Sequence, residues 1–296
     1  MYKKRCISIL VISQLLLLGC STSTIKETSL TDSSDSVIKV VQVSDIHYKS
    51  NENKFDKMIA NINRINPDLF VITGDLIDDK TQVDNFITCF SKLTISCPKF
   101  AILGNWEYWS NVNIQELKSQ LLTIGIVLLI NENRIISIKN KIVQVYGVDD
   151  YLGGKPDFDG LHLLNNQVNI ILAHCPILFE QIINLEEINN LQKVLVLSGH
   201  THGGQITFFG IPLKKPEGSG DYTSGIYKKK NYILNVSRGI GNSIINIRVF
   251  SPSTIEVIEI WRILTTASTS TIPVVTIFAD ASLQKLRQAL RAGIAS

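Results

Sequence analysis

The sequence predicts an α/β fold, a sheet covered by helices. Three observations point to it: short unbroken apolar runs recur along the chain, longer helix-like segments separate them, and each run ends at a polar residue suited to ligation or acid–base chemistry. The run over 37–43 is the first predicted strand. Residues 54–65 carry Phe55, Met58, Ile59, Ile62 and Ile65 at helical spacing, and Asn66-Pro67 stops the helix. The runs 69–73 and 100–103 have the form of buried strands, which 170–173 and 194–197 repeat. Across 126–148 and 226–260 the spacing is that of consecutive strands joined by short turns, so a second sheet is expected to be mixed or antiparallel. Lys228, Lys229 and Lys230, the one tight basic cluster, read as a solvated hairpin tip.

The chain has 296 residues, 45% of them hydrophobic and 19% charged, enough to bury one large core. Its formal charge of +3 includes Lys3, Lys4 and Arg5 of the N-terminal segment, and nothing in the rest suggests a nucleic-acid surface. Residues 1–20 read as an export signal: a basic start, an apolar run over 7–18, then Leu17-Leu18-Gly19-Cys20. That ending resembles the bacterial lipobox, which implies lipidation of Cys20. An uncleaved anchor is the other reading, and both place the remainder outside the cytoplasm as a membrane-anchored protein facing the periplasm or cell exterior. Residues 21–36, rich in Ser and Thr, read as a flexible tether. The domain is expected over 37–260. Residues 261–296 form a tail of different composition, alanine-rich, in which 282–293 could form a helix with Leu283, Leu286 and Leu290 on one face. Of the remaining cysteines, Cys89 and Cys97 could pair in an exported protein, and Cys175 reads as a buried small apolar side chain.

Four of the five histidines stand just past predicted strand ends, together with Asp45, Asp75 and Asn105. Asp45-Ile46-His47 follows the first strand, Gly74-Asp75 the second, Gly104-Asn105 the third, His174 a later one and Gly199-His200-Thr201-His202 the next. Groups at the carboxyl ends of strands in an open α/β sheet converge on one crevice, so residues distant in sequence can share a metal cluster. His162, inside an apolar stretch, reads as structural.

This ordered set resembles the calcineurin-like metallophosphoesterase family over about 37–260. Through 199–205 and Ser237-Arg238-Gly239-Ile240-Gly241 it is most similar to the bacterial branch of cell-envelope phosphodiesterases and lipid-precursor pyrophosphatases. The resemblance implies a double-layered αββα sandwich with a dinuclear metal site at strand ends. It implies that Asp45, His47 and His202 hold one divalent ion, that Asn105, His174 and His200 hold the second, and that Asp75 bridges them. A mixed oxygen and nitrogen set suits Mn, Fe or Zn. Two such ions acidify a shared water and clamp phosphoryl oxygens for in-line attack, so no protein nucleophile is needed. Asp75 and Asn105 are then also the bridging and phosphate-orienting catalytic residues.

The sequence departs from the family after Asn105, where the family has a histidine assigned to protonating the leaving oxygen and this chain has Trp106. Indole cannot deliver a proton, and losing a general acid costs about 10²- to 10⁴-fold only when the leaving group needs one. A diphosphate or an activated phosphodiester does not. Glu107, which would orient such a histidine, loses that role on this reading. Asp149 and Asp150 are either a proton source facing the cleft or an ordinary turn, and Trp106, Tyr108 and Trp109 either wall a groove or pack beneath the loop. The expected activity is hydrolysis of a phosphodiester or phosphoanhydride in a phosphorylated small molecule, lipid or envelope polymer. The alternative is a metal-containing lipoprotein that binds phosphorylated polymers without turnover.

Overall fold

The computed structural model describes residues 24–29, 37–50, 53–165, 167–185, 194–204, 207–208, 211–212, 215–242, 248, 251–260 and 274–277. The export signal with Cys20 and the helix expected over 282–293 lie outside the described residues. No described helix is long and apolar enough to cross a membrane.

The strands, in chain order, are β1 (Thr24–Ser29), β2 (Ile38–Val43), β3 (Leu69–Thr73), β4 (Lys99–Ile102), β5 (Val127–Leu128), β6 (Glu132–Ile138), β7 (Lys141–Gly147), β8 (Val168–Leu172), β9 (Val194–Ser198), β10 (Thr207–Phe208), β11 (Ile211–Pro212), β12 (Gly225–Lys229), β13 (Tyr232–Val236), β14 (Thr254–Ile260) and β15 (Val274–Ile277). One sheet has the order β15-β1-β14-β2-β3-β4-β5 and the other β12-β13-β9-β8-β7-β6, while β10 and β11 pair separately. Both large sheets are mixed. β2, β3, β4 and β5 run parallel in the first and β7, β8, β9 and β13 in the second, with antiparallel strands at their flanks.

The strands predicted across 126–148 and 226–260 divide between the sheets. β6 and β7 form a hairpin in the second sheet while β5 edges the first; β12 and β13 pair in the second while β14 joins the first beside β2. Lys230 sits at the tip between β12 and β13, as its cluster predicted. Part of the stretch read as a tether is strand: β1 pairs parallel with β14 and antiparallel with β15, which itself belongs to the tail.

Side chains alternate across each strand, and this builds the layers. Val40, Leu69, Val71, Phe100 and Ile102 face inward and meet Val143, Val145, Ile170, Leu172, Leu195 and Leu197 of the second sheet. Val41, Val43, Phe70, Ile72 and Ala101 face outward, under α1 (Asn53–Ile65), α2 (Val83–Phe90) and, past the short α3 (Asn105–Trp109), α4 (Ile114–Thr123). On the far side α5 (Leu178–Ile182) packs with Tyr146, Tyr222 and Tyr232 over the second sheet. The result is two mixed sheets face to face with helices outside, an α/β sandwich. Cys89, Cys97 and Cys175 are free thiols. Cys175 is buried, and its thiol donates to Asp150 Oδ1 at 3.4 Å.

Candidate metal centre

The loops leaving β2, β3, β4, β8 and β9 meet at one end of the sandwich, because parallel strands deliver their carboxyl ends to the same edge. A buried amide network ties the sheets together beneath them. Gln42 Nε2 donates to Thr73 Oγ1 and to the Ser198 carbonyl, both at 2.9 Å, and Asn235 Nδ2 donates to Gln42 Oε1 at 2.9 Å.

Asp45, His47, Asp75 and His202 form one buried group whose ligand atoms converge, and Asp75, His174 and His200 form a second. Asp75 belongs to both: its Oδ2 is 3.6 Å from His47 Nε2 and 3.2 Å from His174 Nε2. In the first group His47 Nε2 and His202 Nε2 face each other at 3.1 Å, with Asp45 Oδ1 3.7 Å from the latter. In the second, His200 Nδ1 is 3.0 Å from Asn105 Oδ1 and 3.3 Å from His174 Nε2. All seven residues named from the sequence are thus brought together. His162 is exposed and joins neither group.

Five of the seven, Asp45, His47, Asp75, His200 and His202, have left-handed backbones with φ of 49°, 42°, 52°, 71° and 49°. That conformation is uncommon outside glycine and collects where surrounding structure enforces it for function. The enforcement is visible at Gly74, where φ is +85° and a Cβ would stand 2.4 Å from His174 Nδ1. Main-chain bonds then fix each turn: Asp45 N to the Gly74 carbonyl, His47 N to that of Asp75, and His200 N to both carboxylate oxygens of Asp45 at 2.9 and 3.1 Å.

The donor set fits divalent cations. Two imidazole nitrogens 3.1 Å apart can share at most one proton, so at least one lone pair points at its neighbour, away from water. Burial, the largest cause at each, raises the Asp45 carboxyl to about 6 against the pull of His174 and lowers His47 to about 4 against that of Asp75. His202 is pushed well below the usual range by burial, with the charges of His47 and Arg248 adding to it. At Asp75 burial works upward, but His174 and His47 outweigh it and hold the carboxyl well below its ordinary value. Burial opposes protonation of His174, yet Asp75, Asp45 and Asp150 hold its ring well above the usual range. Neutral imidazoles aimed at one another beside shared carboxylates are what a cation would stabilise. The outer nitrogens support ligation in the second group: His174 Nδ1 lies 2.8 Å from the Thr73 carbonyl and His200 Nε2 2.5 Å from that of Glu217. Only an N–H can make those bonds, so the opposite nitrogens are the ones turned to the centre, where a divalent ion would displace the proton that Asp75 holds on His174. The clustered Asp and His residues therefore fit a dinuclear divalent site.

One contributor escaped the sequence reading, and another has a role that the reading did not give it. Arg248 is partly buried beside His202, its Nη2 3.1 Å from His202 Nδ1, with further bonds to the Arg238 and Gly241 carbonyls and to Asn242 Oδ1. A lone arginine inside the apolar stretch 244–250 was the available signal, since charges are rarely buried without partners. Glu107 keeps a role despite Trp106. Its carboxylate accepts from Gly104 N at 2.7 Å and from Ile77 N at 3.1 Å, clamping the Asn105 loop to the Asp75 loop. Burial, with Asp75 adding to it, pushes that carboxyl up to about 8.

Trp106 stands edge-on to His47, ring centroids 5.9 Å apart, and its backbone N–H donates to Asp75 Oδ1 at 3.0 Å. Trp109 packs against it at 5.7 Å and is 55% exposed. Asp149 and Asp150 are buried and committed: Asp149 accepts from Tyr108 Oη at 2.5 Å and from Lys155 N, Asp150 from Leu152 N and Gly153 N. They hold a turn.

Residues 38–204 match the model of the family described as calcineurin-like phosphoesterase. An uncharacterized metallophosphoesterase of Campylobacter jejuni is 32% identical over 75% of this chain and 59% of its own length. A Helicobacter pylori counterpart is 31% identical over 82% of this chain and 65% of its own. The chain thus spans less than two thirds of those relatives' length. The uncharacterized metallophosphoesterase YkuE of Bacillus subtilis is 31% identical over 74% of this chain and 77% of its own. Among solved structures, a dimetal phosphatase from Danio rerio aligns over 70% of this chain and 88% of its own at TM-score 0.44 and 11% identity.

Proposed function

The chain belongs to the calcineurin-like phosphoesterase family, and from that premise we propose that it hydrolyses a phosphodiester or phosphoanhydride with two divalent ions. The observation that carries the reading is the sharing of Asp75 Oδ2 between His47 and His174, which joins two ligand groups through one carboxylate. Asp45, His47 and His202 with Asp75 would hold one ion, and Asn105, His174 and His200 with Asp75 the other. When bound, the ions supply Lewis acidity toward phosphoryl oxygen and an activated water.

The chain's own groups do the positioning. The Thr73 and Glu217 carbonyls orient two rings, the His200 N–H holds Asp45, and the Glu107 clamp sets Asn105, whose amide also reaches toward a phosphoryl oxygen. Indole at 106 excludes water on the His47 side and offers no proton, which favours substrates whose leaving group departs as a stable anion. The export reading of 1–20 with Cys20 supports a membrane-anchored protein outside the cytoplasm and an envelope substrate: a phosphorylated small molecule, lipid or polymer.

The test is hydrolysis of an aryl phosphodiester and of a diphosphate diester by the protein stripped of metal and after addition of Mn or Zn. The reading expects cleavage only with metal and none by Asp75→Ala. Metal uptake without cleavage of either would favour the alternative of a binding protein, for which Trp106 is the motive.

A further inference from the structure

The loop 237–241 is threaded against the first ligand group by backbone contacts: Ile240 N donates to the Ser44 carbonyl at 2.9 Å and Gly241 N to that of Asp45 at 2.7 Å. The approach is so close that a Cβ at Gly239, whose φ is +71°, would stand 2.6 Å from Asp45 Cβ. Arg238 is therefore delivered to the rim of the centre. Its side chain lies along Gly203, the residue after His202, where a Cβ would meet Arg238 Cγ at 2.8 Å and Cδ at 3.3 Å.

The neighbouring guanidiniums contrast. Arg248 is partly buried and bonded to carbonyls, an amide oxygen and His202. Arg238 is buried to the same partial degree, but its guanidinium has no carboxylate or carbonyl acceptor among the described residues. Its charge reaches Arg248, whose pKa burial lowers to about 10 with Arg238 working in the same direction. Lys49, the other cation near this rim, has Asp78 Oδ2 at 3.6 Å. A planar fork of donors left unmatched by the described residues beside a metal centre suits an oxyanion that comes with the substrate.

We infer that Arg238 binds a second anionic group of the substrate, adjacent to the phosphoryl group that the metal centre takes, so that the site selects substrates with two neighbouring phosphates. The inference rests on the proposed two-metal reading and goes further in naming what selects the substrate. It also supplies what Trp106 cannot. As water oxygen adds to phosphorus, the anhydride P–O bond breaks and its electron pair remains on the departing phosphate, beside a fixed cation; the water's protons leave to solvent. A charge-assisted bond replaces protonation of the leaving oxygen.

Turnover of bis(4-nitrophenyl) phosphate by the metal-loaded protein serves as reporter, with P1,P2-dimethyl diphosphate and dimethyl phosphate as competitors. The native protein is expected to bind the diphosphate tighter than the monophosphate by a factor on the order of ten to a hundred, the value of one charged hydrogen bond. Arg238→Ala and Arg238→Gln should bring that ratio close to one, and Arg238→Lys should keep part of it, with metal content unchanged in each. A ratio that survives Arg238→Ala in protein retaining its metal overturns the inference. Absence of reporter turnover from the native, metal-loaded protein overturns the two-metal reading and the inference together.

Discussion

In the half of the centre built from His174, His200 and Asn105, each imidazole turns its outer nitrogen to a backbone carbonyl, at 2.8 Å and 2.5 Å. In the half built from Asp45, His47 and His202, the outer nitrogen of His202 faces the guanidinium of Arg248 instead, and His47 Nδ1 has no hydrogen-bond partner among the described residues. The backbone differs in step. All three residues of the Asp45 half are left-handed, whereas only His200 is so in the other. Carbonyl acceptors set a ring's tautomer for ligation. A resident guanidinium opposes an incoming cation, and the Asp45 half answers with a carboxylate of its own where the other half offers the neutral amide of Asn105. One half is preset by hydrogen bonds; the other is held by opposed charges in a strained turn.

The largest expected difference lies between Asp45→Ala and Asn105→Ala. Removing Asp45 leaves Arg248 facing an uncompensated cation site, and breaking a buried charge pair costs about 3–5 kcal/mol. Affinity for the ion in that half should fall by about 10²- to 10³-fold, and Asn105→Ala should cost the other half clearly less, both read by equilibrium dialysis. Equal losses would dissolve the distinction between the halves. Trp106→His, on the side of His47, restores a group able to give a proton. It should raise cleavage of a diester with an alkyl leaving group by about 10²-fold relative to an aryl one, measured as a ratio of kcat/KM.

Glu107→Gln sharpens the comparison from the preset half. An amide can accept from only one of the two backbone N–H groups that Glu107 now holds. Metal affinity should drop by about 10- to 100-fold, as with other outer supports of metal ligands, measured by metal titration. A change confined to thermal stability would make Glu107 a general fold residue. The smallest effect on the site is expected from Leu197→Ala, deep between the sheets. It should cost about 2–5 kcal/mol of stability in a denaturant titration while leaving the metal count intact.

Much of this was legible in the sequence, for a physical reason. Strands buried on both faces must be continuous apolar runs, so 69–73 and 194–197 stood out, and the polar residue ending each run marks the loop that carries a ligand. Composition also separated the hairpin tip at Lys230 from a functional basic patch. Pairing between distant segments was hidden: β14 joins the first sheet beside β2, and β1 joins it from a stretch with the composition of a tether. The same holds for side-chain to backbone bonds across the fold. The Glu107 bond to Ile77 spans 30 residues and the Arg248 contact with His202 spans 46, and neither leaves a local pattern. Asp149 and Asp150 carried a turn signature that two readings shared, and the bonds they accept from the backbone at 152, 153 and 155 decide for the turn.

The most direct test of the shared carboxylate is the number of Mn ions bound per chain, by equilibrium dialysis, in the native protein and in Asp75→Ala at the same free metal concentration. Two ions in the native chain and loss of both on removing Asp75 are the predicted result. A native chain that binds none, or an Asp75→Ala chain that still holds two, would contradict it.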